Sequence, residues 1–376
     1  MSEPKEIETR ILYKDPFAYA AHPFIAGLQN GDWLVVFNQS IRRRFILHPP
    51  EDPYYHNLLI RSKDEGRSWS KPRAVPGYNW HGVECAGLTS LQDGSVLLNQ
   101  WQFHWYPLEA ARCLPNQDGI VYPHDWVDEL QVSGELDTGA ILAADPDESI
   151  PWARGSGRTL THLSRDFGGT WGQTVEIDTR PYSGGYGMRG GVQLPGGDIL
   201  LPLSDVPHYE TVFVLRSRDG GRSWGNVCEV AHLEGHFFEE PSGVVLHAGE
   251  VLILMRDNTT HRLYQVSSAD GGWTWSSPVP TQIQGYPGHV VLLLDGRLLC
   301  VYGVRRPPYG IQAVLSTDQG KTWEIDHPLI LRDDLPNRDL GYPSAVQAAD
   351  GRIFVVYYGQ DKDGVTCIQS TRFVLG

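Results

Sequence analysis

Five copies of one eight-residue pattern, Ser-x-Asp-x-Gly-x-x-Trp, limit what this chain can fold into more than any other feature. They read SKDEGRSW from Ser62, SRDFGGTW from Ser164, SRDGGRSW from Ser217, SADGGWTW from Ser268 and STDQGKTW from Ser316. Asp and Ser side chains take up backbone N–H groups in a tight turn, the Gly adopts a conformation that side chains resist, and the Trp plugs back against the hairpin. Each box therefore predicts a β-hairpin turn with its own small core, built of structural residues.

A second repeat is interleaved with the first: an apolar strand, a turn ending on Gly, and another apolar strand. Its six copies are HPFIAGLQNGDWLVVF from His22, ECAGLTSLQDGSVLLNQW from Glu84, MRGGVQLPGGDILLPL from Met188, EPSGVVLHAGEVLILMR from Glu240, YPGHVVLLLDGRLLCVYG from Tyr286 and YPSAVQAADGRIFVVYYG from Tyr342. Turn glycines fall at Gly31, Gly94, Gly197, Gly249, Gly296 and Gly351, and the last three intervals, of 52, 47 and 55 residues, each fit one four-stranded blade. A box follows each of the first five hairpins but not the sixth. After Gly351 there is room for two more strands, and a strand at about 7–14 would complete the last blade, close the ring and remove exposed sheet edges. The expected fold is all-β: one six-bladed β-propeller over residues 1–376, with four-stranded antiparallel blades. The interval from Gly94 to Gly197 is 103 residues, about twice a blade. Its excess, at about 102–155, predicts a long excursion that serves equally as a lid or a subunit contact.

Composition excludes several classes. A hydrophobic content of 41% is enough for a substantial core, so disorder is excluded. A net charge of −14 argues against nucleic acid as a partner. MSEPKEIETR has no apolar leader core and no run of 18 apolar residues occurs, so neither export nor membrane anchoring is expected. Cys85, Cys113, Cys228, Cys300 and Cys367 are scattered and form no CxxC pair, which fits reduced thiols in a cytoplasmic protein.

In a propeller the innermost strand of each blade begins beside the axis, so residues just upstream of each inner hairpin converge on one pocket. His22, Glu240 and Tyr342 each lie nine residues before their turn glycine. Cys85 and Met188 share that register, with Glu84 and Arg189 one residue either side. A ring of His, Glu, Tyr and Arg exceeds what strand-end capping needs, and marks a candidate site.

On these motifs the chain resembles the sialidase (neuraminidase) superfamily over essentially its whole length. The resemblance implies a retaining exo-glycosidase. In FEEPSGVVLHAGEVLILMRDN, Glu240 opens the fourth inner strand and Arg256 follows one hairpin later, while DLGYPSAVQAADGRIFVVYYG places Tyr342 where the family has its nucleophile. YGVRRPPYGIQAVLSTDQG offers Arg305 or Arg306 as a further family arginine, with Arg306 preferred. The chemistry is coherent. A sialoside carries a carboxylate on its anomeric carbon, which would repel a carboxylate nucleophile. A neutral Tyr avoids this, provided Glu240 removes a proton that otherwise leaves near pH 10. Arg256 and Arg306 would clamp the substrate carboxylate.

The segment departs from the family pattern at two places. Ala21, in AHPFIAGL, stands where the family's first arginine opens the first inner strand. Either Arg189 compensates, or His22 and His81 mark a pocket reshaped for another sugar, with Glu84 also among the substrate-binding candidates. The general acid expected in the loop SIRRRFILHPPEDPYYHNLLIRS is Asp52, beside Glu51, and the run Arg42, Arg43, Arg44 faces either the pocket or solvent.

The expected function is a sialidase-like exo-glycosidase acting on a terminal acidic sugar, in a chain that binds carbohydrate and forms a homo-oligomer if the excursion is a subunit contact. The alternatives are a lyase on uronate-containing oligosaccharides, with His22, His81, His104, His124, His236 and His289 gathered around the axis, or a non-catalytic carbohydrate-binding propeller. The histidine spacings match no local ligand motif, so no metal and no cofactor are expected.

Overall fold

A computed structural model of the chain describes residues 4–43, 47–76, 82–115, 119–125, 150–206 and 208–376. Strands dominate, in six antiparallel sheets that follow one another along the chain. The sheets are the blades of a propeller, and each runs from the axis outward. Blade 1 comprises Ala18–Gly27, Trp33–Ile41, His56–Ser62 and Arg73–Ala74. The innermost strand of blade 3 is split into Gly185–Tyr186 and Val192–Gln193, both paired with Ile199–Asp205. Blade 6 takes its inner three strands from Gly341–Gln347, Ile353–Gln360 and Thr366–Leu375, and its outer strand, Pro4–Tyr13, from the other end of the chain. Thr9 lies opposite Thr371 in that last antiparallel pair, so the two ends of the described chain share one sheet. Second strands such as Trp33–Ile41 and Leu298–Val304 are almost wholly buried, because neighbouring blades cover both their faces. No helix among the described residues is long and apolar enough to cross a membrane.

The third strands of blades 1–5 each end on a box serine: Ser62, Ser164, Ser217, Ser268 and Ser316. In every box the Ser hydroxyl oxygen accepts the Gly N–H at 2.8–2.9 Å. The Asp carboxylate accepts the N–H two residues beyond that Gly at 2.7–2.9 Å. The Ser68 hydroxyl and N–H hold Asp64 down to about 2, and the Thr170 N–H with the Ser164 hydroxyl holds Asp166 there too.

The tryptophans pack in clusters that include their own blade, and two of them also reach across to the preceding blade. Trp224 Nε1 donates to Thr161 Oγ1 of blade 2 at 3.1 Å, and Trp323 Nε1 donates to Gln265 Oε1 of blade 4 at 3.1 Å. The box glycines face the same seam. A Cβ on Gly66, Gly168, Gly221, Gly272 or Gly320 would lie 2.4–2.8 Å from Phe354, Leu34, Leu97, Leu200 or Leu252 respectively, each on the second strand of the preceding blade. The box is thus a seal between blades.

The excess in blade 2 begins as an extension of its second and third strands, Val96–Pro107 and Trp152–Ser164, which stay paired out to Pro107 and Trp152. A five-residue helix, Leu108–Arg112, follows. Residues 126–149, on which the lid or subunit-contact expectation rests, lie outside the described residues. The root of the extension leans on blade 1: Trp152 Nε1 donates to the Glu51 carbonyl at 2.9 Å and Arg154 to the Pro50 carbonyl at 2.7 Å.

Candidate active site

One backbone device recurs in blades 1, 4 and 6. His22, Glu240 and Tyr342 have φ of 52°, 56° and 50°. Each precedes a proline (Pro23, Pro241, Pro343), and the pairing register of its inner strand shifts at that point. Such bulges re-aim a side chain, and a left-handed conformation in a residue with a Cβ costs about 1–3 kcal/mol. The three re-aimed side chains meet. The Tyr342 hydroxyl donates a short hydrogen bond to Glu240 Oε1. The His22 ring packs edge-on against Tyr342, with centroids 4.3 Å apart, while its Nδ1 pairs with Asn38 Oδ1 at 3.0 Å.

Two guanidinium groups complete one wall. Arg256 Nη1 lies 3.5 Å from Glu240 Oε2, and its guanidinium sits 4.2 Å over the Tyr286 ring. Arg305 lies 5.5 Å over Tyr286 and 5.6 Å over Tyr342, anchored by its Nε to the Leu340 carbonyl at 3.2 Å. Tyr286, which no motif singled out as functional, carries a readable signal: it precedes Pro287 just ahead of the inner strand Gly288–Leu292, and a proline likewise follows His22, Glu240 and Tyr342.

The electrostatics follow from burial. Burial, and then the Glu240 carboxylate, hold the Tyr342 phenol well above its ordinary value, against the opposing pull of Arg305 and Arg256. Burial, followed by His48, keeps His22 well below its ordinary value, so its ring is neutral. Burial lowers Arg189 to about 10, with Glu240 opposing. The resting site therefore holds a neutral phenol aimed at a carboxylate beside two cations.

Several sequence-derived candidates are placed differently from expectation. Arg306 is exposed and donates to the Gln284 carbonyl at 3.2 Å; its neighbour Arg305 occupies the place beside Tyr342. Asp52 is 1% exposed and fully engaged as an acceptor. Its oxygens take Ser40 Oγ at 2.9 Å, Arg43 Nε and Nη2 at 2.8 and 3.2 Å, and the Tyr54 N–H at 2.9 Å. That geometry makes Asp52 the anchor of its loop. Arg42 donates to the Gly364 carbonyl at 2.8 Å, away from the pocket, and Arg44 lies outside the described residues.

Arg189 is 2% exposed and lies one residue further along the chain than the ring-equivalent Met188. Its guanidinium nitrogens find no hydrogen-bond partner among the described residues. It sits 5.8 Å over the Phe24 ring. Glu84 is buried at the ring with its neighbours Cys85 and Tyr186, whose Sγ and hydroxyl are 3.2 Å apart. His81 lies outside the described residues.

Among the described residues, four of the six histidines named for the lyase alternative are engaged as follows. His104 is exposed, His124 lies beside Asp125, His236 pairs with Asp257 at 3.0 Å, and His289 Nδ1 accepts the Ala345 N–H at 3.0 Å. No group of three or more His, Cys, Asp or Glu among the described residues is placed to hold a metal ion.

Known proteins share the fold described above. The BNR repeat-like domain family matches residues 146–355, more than half of the chain. A sialidase of Bacteroides fragilis (strain YCH46) is 22% identical over 291 residues, covering 73% of this chain and 49% of that protein. The chain thus spans about half the length of this curated relative. A protein of unknown function from Dyadobacter fermentans superposes with a TM-score of 0.81 at 22% identity, over 99% of this chain and 100% of that one. A mutant of the NanB sialidase from Streptococcus pneumoniae superposes with a TM-score of 0.69 at 13% identity, over 98% and 71% of the two chains. An α-L-arabinanase from Penicillium chrysogenum, complexed with arabinobiose, reaches 0.63 at 14% identity over 99% and 98%. At such identities the superpositions speak to fold alone. The family match, the boxes and the six closed blades make the chain a member of the BNR repeat-like family, a six-bladed propeller of the sialidase superfamily.

Proposed function

We propose that the chain is a glycoside hydrolase that removes a terminal acidic sugar, with Tyr342 as nucleophile, Glu240 as its base, and Arg256 and Arg305 as the grip on the sugar's carboxylate. The observation that carries this reading is the hydrogen bond from the Tyr342 hydroxyl to Glu240 beneath two guanidinium groups. As the phenol oxygen attacks the anomeric carbon, its proton passes to Glu240. The two arginines then face both the substrate carboxylate and the charge that builds on the phenol oxygen. A neutral nucleophile suits a substrate whose reacting carbon already bears a carboxylate. The names of the curated sialidases support the same class.

Ala21 narrows the substrate. It is fully buried where the family pattern has an arginine, so the grip has two arms instead of three. Each charged hydrogen bond is worth about 1.5–3 kcal/mol, which favours an acidic sugar other than ordinary sialic acid. The test is a panel of aryl glycosides of sialic acid, other ulosonic acids, uronic acids and neutral sugars. Turnover is expected for an acidic member, with a loss of about a thousand-fold or more in Tyr342→Phe. Turnover confined to neutral sugars, or undiminished in Tyr342→Phe, would overturn the reading.

A further inference from the structure

We propose that the axial channel of the propeller binds a small monovalent inorganic anion, chloride, against the buried guanidinium of Arg189. This site stands or falls independently of the hydrolase reading. The inner strands of all six blades line a cavity of about 550 Å³ around the axis. It begins just past the bulges: Phe24, Ser242 and Ala345, all in its wall, follow His22, Glu240 and Tyr342 by two or three residues. It opens on the face of the inner turns, where the lining residues Gly27, Gln29 and Gln92 are exposed.

Three side chains from alternate blades meet at the end of this channel nearer the bulges. Phe24 and His289 each lie seven residues before their turn glycine, and Arg189 lies eight before its own. The Arg189 guanidinium of blade 3 stands 5.8 Å over the Phe24 ring of blade 1, and that ring meets His289 of blade 5 edge-on at 5.3 Å. The backbone that carries Arg189 is pinned. Asn99 Nδ2 donates to the Gly187 and Arg189 carbonyls at 2.7 and 3.2 Å, and a Cβ on Gly87 would lie 2.2 Å from the Arg189 carbonyl carbon. Hydrogen bonds from blade to blade hold the surrounding ring in shape. Thr89 Oγ1 accepts the Gly191 N–H at 2.7 Å, Ser242 Oγ the Val290 N–H at 3.2 Å, and His289 Nδ1 the Ala345 N–H at 3.0 Å.

All three guanidinium nitrogens of Arg189 are buried without a hydrogen-bond partner among the described residues. A charge taken out of water without a partner is strongly disfavoured, so the side chain calls for a counter-ion. Glu240, the carboxylate it feels most, is already engaged by the Tyr342 hydroxyl and Arg256. Burial, with Glu240 opposing, brings Arg189 down only to about 10, so it is cationic at neutral pH. Burial, and then Arg189, keep the His289 ring neutral; with Nδ1 accepting, its proton is on Nε2. Arg189 is thus the one cation among the described residues of the wall, which matches a single negative charge and leaves a phosphate or sulfate half-compensated. The close approach of guanidinium, phenyl and imidazole favours a single-atom ion over a carboxylate on a carbon chain.

The test is thermal melting of the full chain at constant ionic strength while sodium gluconate is exchanged stepwise for sodium chloride. The melting temperature should rise by a few degrees and saturate, and bromide should do the same. In Arg189→Met, which replaces the cation by an apolar side chain, the rise should vanish. Crystals of the unmodified protein soaked in sodium bromide should show an anomalous peak in contact with the Arg189 guanidinium, a result that does not depend on the variant folding. Absence of that peak, a rise that survives in Arg189→Met, or stabilisation by acetate or phosphate where chloride gives none would overturn the proposal.

Discussion

Tyr342 meets three kinds of neighbour, and each sets a different property of its hydroxyl. Glu240 receives its proton, Arg256 and Arg305 lower the cost of the phenolate, and His22, neutral and buried, holds the ring at a fixed angle. This division predicts unequal effects for two adjacent arginines. Arg305→Ala should lower kcat/KM on the acidic substrate by about ten- to a hundred-fold, the value of one charged contact, whereas Arg306→Ala should change it less than about two-fold; steady-state kinetics on the two variants decides. Counting back from the turn glycines located His22, Glu240 and Tyr342 because one bulge geometry repeats in three blades. The choice between Arg305 and Arg306 was not legible, since both lie just beyond the strand Leu298–Val304 and nothing local says which faces the axis. Glu84 adds a stability prediction. Its folded value of about 8 exceeds its ordinary 4.5, so the folded protein binds more protons between those values and stability falls as pH rises through that window. Glu84→Gln should flatten this slope in melting curves taken from pH 5 to 8.

At the scale of the element, the box is a seam, and its glycine is required twice over: it has positive φ and no room for a methyl group. Gly221, at φ 83°, would place a Cβ 2.7 Å from Leu97. Gly225, in the next strand, has open space around it. Gly221→Ala should cost about 2–4 kcal/mol from backbone strain and overpacking, and Gly225→Ala less than about 1 kcal/mol, measured by denaturant unfolding. The Ser, Asp and Gly roles were legible because their hydrogen bonds close within the motif. The direction of the Trp was not, because its partners, such as Thr161 for Trp224, come from another blade.

At the scale of the whole molecule, the ring depends on Pro4–Tyr13 lying against Thr366–Leu375. Removing residues 4–13 should bare the edge of that strand, lower the melting temperature and promote association, seen together by calorimetry and size-exclusion chromatography; an unchanged melt would show that the ring closes without it. Blade number and the place of the excess in blade 2 were both readable from turn spacing, while the role of that excess was not, because its sequence repeats nothing found in the other blades. Closure is also what brings Glu240, Tyr286, Arg305 and Tyr342 from three blades together, and Tyr342 as nucleophile is the claim on which the rest turns. The most direct measurement is mass spectrometry of the protein after reaction with a fluorinated, slowly hydrolysed glycosyl fluoride of the panel's acidic sugar. A sugar adduct on the peptide carrying Tyr342, absent in Tyr342→Phe, is the predicted result; an adduct on another side chain, with Tyr342→Phe still turning over substrate, would contradict it.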